Sequence, residues 1–195
     1  MGMGKVELEA REKRHKQNIQ NAVLMTVAAV GIIAAAAVAP NAIQLLKTSG
    51  TTAKLRYRAK SVLGRLKQKG DIEFIERDGK KCVRLTEKGE RTLALHREKL
   101  RLAELPKKRW DWRYRLVIFD VPEKRKGTRD RIRREVHEAG FLRVQDSAWI
   151  YPYDCEEFIA LLKAELHIGK DVLYAIIDSI ENDKWIRKHF GLPQK

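Results

Sequence analysis

The sequence predicts an α+β protein in two parts: a basic, mainly helical first half with one β-hairpin, and a second half of alternating strands and helices. Three observations carry that prediction. Residues 1–109 hold 25 Lys and Arg against 11 Asp and Glu, whereas residues 110–195 hold 16 against 15. Apolar residues of the first half recur at helical spacing, broken by an Asp-Gly pair between two strand-like runs. The second half has two nearly continuous apolar runs, 114–121 and 172–180, of the kind that buried strands show. At 195 residues, 44% hydrophobic and 34% charged, the chain has material for one large or two small domains, which excludes wholesale disorder.

Residues 1–21 are polar and mixed in charge, a frayed or disordered tail. Ala22 to Ala39 is then free of charge over 18 residues and ends before Pro40. Eight of those residues are alanine, which drives membrane insertion weakly, and basic residues flank the run on both sides, so no orientation is favoured. A buried helix opening a three-helix domain is expected; a membrane anchor is the alternative, and an export signal ending at Ala37-Val38-Ala39 a third.

After Pro40, Asn41 is placed to cap a short helix, 42–47, and Thr48-Ser49-Gly50 is turn chemistry. Thr51 or Thr52 then caps a long helix that Gly70 ends. Between Lys47 and Lys69 there are eight Lys or Arg and no acid. Leu55, Ala59, Val62, Leu63 and Leu66 form its apolar stripe. Lys54, Tyr57, Arg58, Ser61 and Arg65 form a second stripe, flanked by Arg56, Lys60 and Lys67. A helix that packs on one side and is purely cationic on the other suits a polyanion, since ordinary solvent faces mix signs.

Strand-like segments around Ile72-Phe74 and Cys82-Leu85 bracket Asp78-Gly79, a hairpin signal. Thr86 caps a further helix to about Leu105. Helix, short helix, basic helix, hairpin, helix is the order of a winged helix-turn-helix, expected over residues 22–105. The phrase VLGRLKQKGDIE…RDGKKCVRLTEKGER resembles the winged-helix repressors of bacteria. That resemblance implies major-groove contact by Thr52, Lys54, Arg56, Tyr57, Arg58, Lys60 and Ser61, with Arg65 further along the helix. It gives Arg77, Lys80 and Lys81 of the wing to phosphate. Tyr57 is equally suited to packing at the domain edge, and Arg65 and Lys67 also suit the helix C-terminus electrostatically.

A linker is expected over residues 106–112, followed by a second domain over 113–195. YRLVIFDV (114–121) is a central strand and 123–139 an Arg-rich helix. Segments 141–145 and 148–151 are two further strands, 155–166 a helix, 172–180 a last strand and 183–190 a short closing helix. The order βαββαβ is that of a ferredoxin-like split unit with a four-stranded antiparallel sheet. LVIFDVPEKRKGTRDRIRREVHEAGF and RVQDSAWIYPY resemble the small CRISPR-associated adaptation nuclease of ferredoxin fold. The same module follows a winged helix in PaaX-like transcriptional repressors, and the whole order is similar to that arrangement. In that family a further domain follows; the chain ends at Lys195, so no effector site is expected within it.

The nuclease resemblance implies a metal-holding Asp at the end of the first strand, here Asp120, with Asp146 and Asp178 as conceivable helpers. Hydrolysis needs carboxylates close enough to share Mg²⁺, and Val121-Pro122 adds no ligand. The competing role for Asp120 is to cap the helix after Pro122 or to pair with Arg129. The strand 149–153, WIYPY, offers an aromatic surface for dimerisation. Cys82 and Cys155 lie far apart without CxxC or a neighbouring His, as reduced thiols of a cytoplasmic protein do, which excludes a structural zinc site.

The expectation is thus a cytoplasmic, sequence-specific regulator, a repressor, that binds double-stranded DNA as a homodimer, needs no cofactor and is not an enzyme. The alternatives are a Mg²⁺-dependent CRISPR-associated endonuclease or adaptation subunit carrying a winged helix, and a membrane-tethered DNA-binding protein.

Overall fold

The computed structural model describes residues 19–38, 41, 52–104 and 109–193; for residues 52–56 and 58–60 it describes the backbone alone. The chain divides into two compact units with the boundary between Leu93 and Ala94.

In the first unit, residues 19–30 form helix α1, which buries Ile19, Ala22, Val23, Leu24 and Val27. Ile19, Gln20 and Asn21, expected in a polar tail, are helical and buried, because Ile19 precedes Val23 by one turn and extends the apolar stripe. Residues 1–18 lie outside the described residues. The apolar run is not one helix. Gly31, at φ +76°, donates its N–H to Val27 O at 2.8 Å and turns the chain out of α1. Ile32–Ala34 becomes strand β1, antiparallel to the later strand Lys80–Leu85 (β3) through Ile33↔Val83, and residues 35–38 return to helix (α2). Among the described residues no helix is long and apolar enough to cross a membrane.

The expected short helix over 42–47, its following turn and the Thr51 cap lie outside the described residues. Asn41 is helical, and its Nδ2 donates to Ala37 O at 2.9 Å, four residues back. That bond serves the preceding turn of helix. Helix α3, Thr52–Lys69, buries Val62, Leu63 and Leu66. It ends as the glycine predicts: Gly70 has φ +76°, with Gly70 N–H on Lys67 O and Asp71 N–H on Leu66 O, both at 2.9 Å. This is the paired-bond Schellman stop.

Strands β2, Ile72–Arg77, and β3, Lys80–Leu85, pair in continuous register from Ile72↔Leu85 to Arg77↔Lys80. Asp78 and Gly79 both have positive φ, 52° and 66°, the geometry of a type I′ turn. The sheet order is β1-β3-β2. Thr86 joins the sheet to α4, Glu87–Ala103: its N–H bonds Asp71 O at 3.1 Å, its hydroxyl donates to Gly70 O, and its Oγ1 accepts from Gly89 N at 3.1 Å, the N-cap bond.

The second unit takes the remainder of α4 and then β4 (Tyr114–Phe119), α5 (Lys126–Glu138), β5 (Leu142–Gln145), β6 (Ala148–Tyr151), α6 (Glu156–Leu166), β7 (Val172–Ile177) and α7 (Lys184–Phe190). A 3₁₀ turn over Glu123–Arg125 leads into α5, where one helix was expected. The sheet is fully antiparallel in the order β5-β6-β4-β7. Its first strand lies inside and its second at an edge, the ferredoxin-like arrangement. Phe119, Tyr151, Phe158, Ile132 and Leu162 are among its fully buried core residues.

The segment expected as a linker is partly core. Trp110 is 5% exposed, and its indole N–H donates to Arg113 O at 2.9 Å; residues 105–108 lie outside the described residues. Arg187 of α7 stacks over Trp110 and Trp112, with its Cζ 5.1 and 5.4 Å from the ring centroids, and bonds Asp183 at 2.8 Å. Tyr114 O–H donates to the same carboxylate, and burial with that neighbour pushes the phenol up to about 12.

The aromatic strand assigned to dimerisation is also core. Trp149, Ile150 and Tyr151 are at most 4% exposed. β6 lies between β5 and β4, and strand order, a non-local property, decides its burial. Both cysteines are free and buried, and burial pushes the Cys155 thiol up to about 12.

Candidate nucleic-acid interface

Two elements of the first unit carry the cationic residues predicted from sequence. α3 has no acid in its first turn and Lys67 and Lys69 in its last, where cations oppose the partial negative charge of the free carbonyls. Burial of Val62, Leu63 and Leu66 fixes one side of this helix against the core. Ser61, Arg65, Lys67 and Lys69 are left exposed. Thr52, Lys54, Arg56, Arg58 and Lys60 lie on the same helix, in the stretch described by backbone alone. Tyr57 is 77% exposed, so it does not pack at the domain edge.

The hairpin supplies the second element. Its I′ turn brings Arg77 and Lys80 directly opposite each other at the tip, with Lys81 next to them. All three are exposed. Arg77 Nε is 3.9 Å from the Asp78 carboxylate, but both side chains are well exposed, so this contact contributes little.

Phe74 of β2 links the two elements. Lys67 Nζ of α3 lies 5.6 Å and Lys81 Nζ of β3 lies 4.5 Å from its ring centroid. Ammonium groups from two different elements therefore lie within cation–π range of one ring, an attraction of about 0.5–1 kcal/mol each at exposed sites. The C-terminal end of α3 and the hairpin thus bring cations together at Phe74. Glu76 is the counterpoint, opposite Lys81 in register and lining a shallow groove with Phe74, Ile75, Gly79 and Lys81. The role of Phe74 was not predicted; its only sequence signal is an aromatic among charged neighbours.

In the second unit Asp120 follows β4 and is exposed. Its N–H donates to Asp171 O at 2.9 Å. Neither competing role holds for its carboxylate. The turn after Pro122 has no side-chain cap bond, and Arg129 pairs with Glu123 at 2.8 Å. The possible helpers are engaged elsewhere: Asp146 with Arg143, and Asp178 with Arg113 at 3.1 Å. Asp171, the nearest carboxylate in the backbone pairing, bonds Arg125 at 2.7 Å. Among the described residues no group of three His, Cys, Asp or Glu is placed to hold a metal. Among the described residues, Asp120 and these carboxylates therefore do not gather the several oxygen ligands that a Mg²⁺ site needs.

Residues 107–185 match the family model described as the PaaX protein central Cas2-like domain. Curated proteins searched with the whole chain give no match.

Proposed function

We propose that this chain, whose residues 107–185 match the PaaX central Cas2-like domain, is a cytoplasmic, sequence-specific DNA-binding repressor of PaaX-like type that acts as a homodimer. The observation that carries the proposal is the meeting of cations from α3 and the β2–β3 hairpin at Phe74. A winged helix-turn-helix is supported by the order α1-β1-α2-α3-β2-β3 and by β1 closing the sheet on β3. In this arrangement α3 enters the major groove, presenting Thr52, Lys54, Arg56, Tyr57, Arg58, Lys60 and Ser61 to base edges and nearby phosphates. Arg65, Arg77, Lys80 and Lys81 contact the phosphate backbone.

Two outcomes are expected. Lys80→Ala and Lys81→Ala each weaken binding to every duplex alike and flatten the slope of log affinity against log salt by about one. Anisotropy titrations between low and physiological salt measure this; an unchanged slope removes the hairpin from the interface. Tyr57→Ala lowers affinity for the preferred site by about tenfold or more at unchanged melting temperature, since the ring is exposed in the free protein.

The experiment that tests the proposal as a whole is selection from a random duplex library. A two-fold symmetric motif with half-sites about ten base pairs apart, or a multiple of that, is expected. Selection of no motif over bulk competitor DNA refutes it.

A further inference from the structure

Two positions in the hairpin register set an acid directly opposite a cation: Glu73 faces Arg84, and Glu76 faces Lys81. Residues in direct register share a sheet face, and opposite charges there attract. The first pair closes, with Arg84 Nε on the Glu73 carboxylate. The second does not. Among the described residues neither Glu76 nor Lys81 forms an ion pair. The Lys81 ammonium lies instead 4.5 Å from the centroid of the Phe74 ring. Phe74 and Glu76 are two residues apart on β2, so they project from one face and Lys81 can reach either. An exposed ion pair and an exposed cation–π contact are of similar strength, so the ring can hold the ammonium against the carboxylate. That ring is a firm support, because it packs on the core of the first unit. Lys67, in the last turn of α3, comes within 5.6 Å of the same centroid and likewise forms no ion pair among the described residues. Other lysines near the helix end are engaged: Lys69 donates to Gln20 Oε1 at 3.5 Å, and Lys88 donates to Lys69 O.

We propose that Phe74 is a positioning residue of the DNA interface: it holds the Lys81 ammonium off Glu76 and near Lys67, so that both charges meet the phosphate backbone uncancelled. This rests on the DNA-binding reading given above and adds Lys67 to its phosphate contacts. Ammonium groups carry donors and no acceptor, so they suit phosphate as point charges and do not read base edges. A lysine already neutralised by an internal carboxylate displaces no counterion from DNA, whereas each one kept free adds about one to the salt slope. Phe74 itself touches no nucleotide. Its removal lets Lys81 fall back on Glu76, and the carboxylate then competes with phosphate for the same ammonium.

Anisotropy titrations of the full chain against a fluorescent duplex of mixed sequence, repeated over a range of salt, test this. Phe74→Leu is expected to lower affinity about fivefold at low salt and to flatten the slope of log affinity against log salt by about one. Phe74→Tyr, which keeps an aromatic face, is expected to behave as wild type. Adding Glu76→Gln to Phe74→Leu is expected to restore the slope, while Glu76→Gln alone leaves it as it was; the difference is the coupling that a double-mutant cycle isolates. Lys67→Ala is expected to flatten the slope by about one. In the free wild-type protein, the ε-methylene protons of Lys81 are expected to show an upfield ring-current shift by NMR.

A wild type that binds with a steep salt slope, and a Phe74→Leu variant that keeps that slope, overturn the positioning role and leave the DNA-binding reading standing. A slope lost in Phe74→Leu and not restored by Glu76→Gln also overturns it, because loss of packing alone gives that result. An unchanged slope in Lys67→Ala removes Lys67 from the backbone contacts and overturns the paired arrangement. Unshifted Lys81 protons overturn the role even where Phe74→Leu fails to fold. A wild type without affinity for any duplex overturns the regulator and this role together.

Discussion

Gly89→Ala is expected to destabilise the first unit by about 3 kcal/mol or more, enough to unfold most of a marginal domain at physiological temperature. Gly89 lies in the first turn of α4, where alanine is ordinarily the better helix former by about 1 kcal/mol, so propensity predicts the opposite sign. Packing decides otherwise. A Cβ built at Gly89 would lie 1.9 Å from Asp71 O and 2.8 Å from its carbonyl carbon. Those atoms are backbone and cannot rotate away.

They are also committed. Asp71 O accepts from Thr86 N–H at 3.1 Å, its carboxylate accepts from the Thr92 hydroxyl at 3.2 Å, and the residue is 3% exposed. Relief of the clash therefore has to open the junction of α3, β2 and α4. Urea unfolding followed by far-UV circular dichroism measures the loss. Tryptophan emission reports the second unit separately, because all four tryptophans lie at or beyond residue 110. A variant as stable as wild type would show that this close approach does not exist.

That contact illustrates which parts of the fold were legible. Asp78-Gly79, Gly70 and Thr86 announced a turn, a stop and a cap, because each acts through backbone geometry within a few residues. The βαββαβ order was legible for the same reason, since its run lengths and breakers are local. β1 was not. Ile32–Ala34 sits in an alanine-rich run and becomes a strand only by pairing with Cys82–Arg84, some fifty residues away. The burial of Trp149–Tyr151 depended on strand order in the same way.

At the candidate interface, the positions on α3 and the hairpin tip were legible as a charge pattern. The junction at Phe74 was not, because it needs Lys67 and Lys81 brought together by the β2–α3 packing. Asp120 taught a different lesson: its sequence neighbours suggested a cap or an ion pair, but Arg129 found Glu123 instead.

Lys99→Met is expected to cost the second unit about 3 kcal/mol at neutral pH, a cost that shrinks in strong base. Lys99 Nζ bonds Glu135 at 2.9 Å and Glu138 at 2.7 Å, and its side chain is 11% exposed. Burial alone lowers the ammonium, yet the two carboxylates outweigh it and hold Lys99 above its ordinary value. His96 faces the same cluster and is pushed below its ordinary value by burial and by Lys99. Methionine fills most of the volume, so the loss is electrostatic: Glu135, 13% exposed, is left with the looser 3.9 Å contact to exposed Arg134. Removing one partner of such a pair costs about 3–5 kcal/mol.

The sign against pH separates this cause from simple loss of packing. In the wild type Lys99 is held above its ordinary value, so the cluster's contribution is fully present below the unfolded value and is lost as pH rises through the folded one. The deficit of the variant relative to wild type should therefore be at full size at pH 7 and shrink as pH rises past the ordinary lysine value. Restoring neutrality by adding Glu135→Gln should recover much of it at pH 7. Denaturant unfolding of the single and double variants across that range measures both effects. A deficit that stays constant with pH would assign the loss to packing and refute the ion cluster as the tie between α4 and α5.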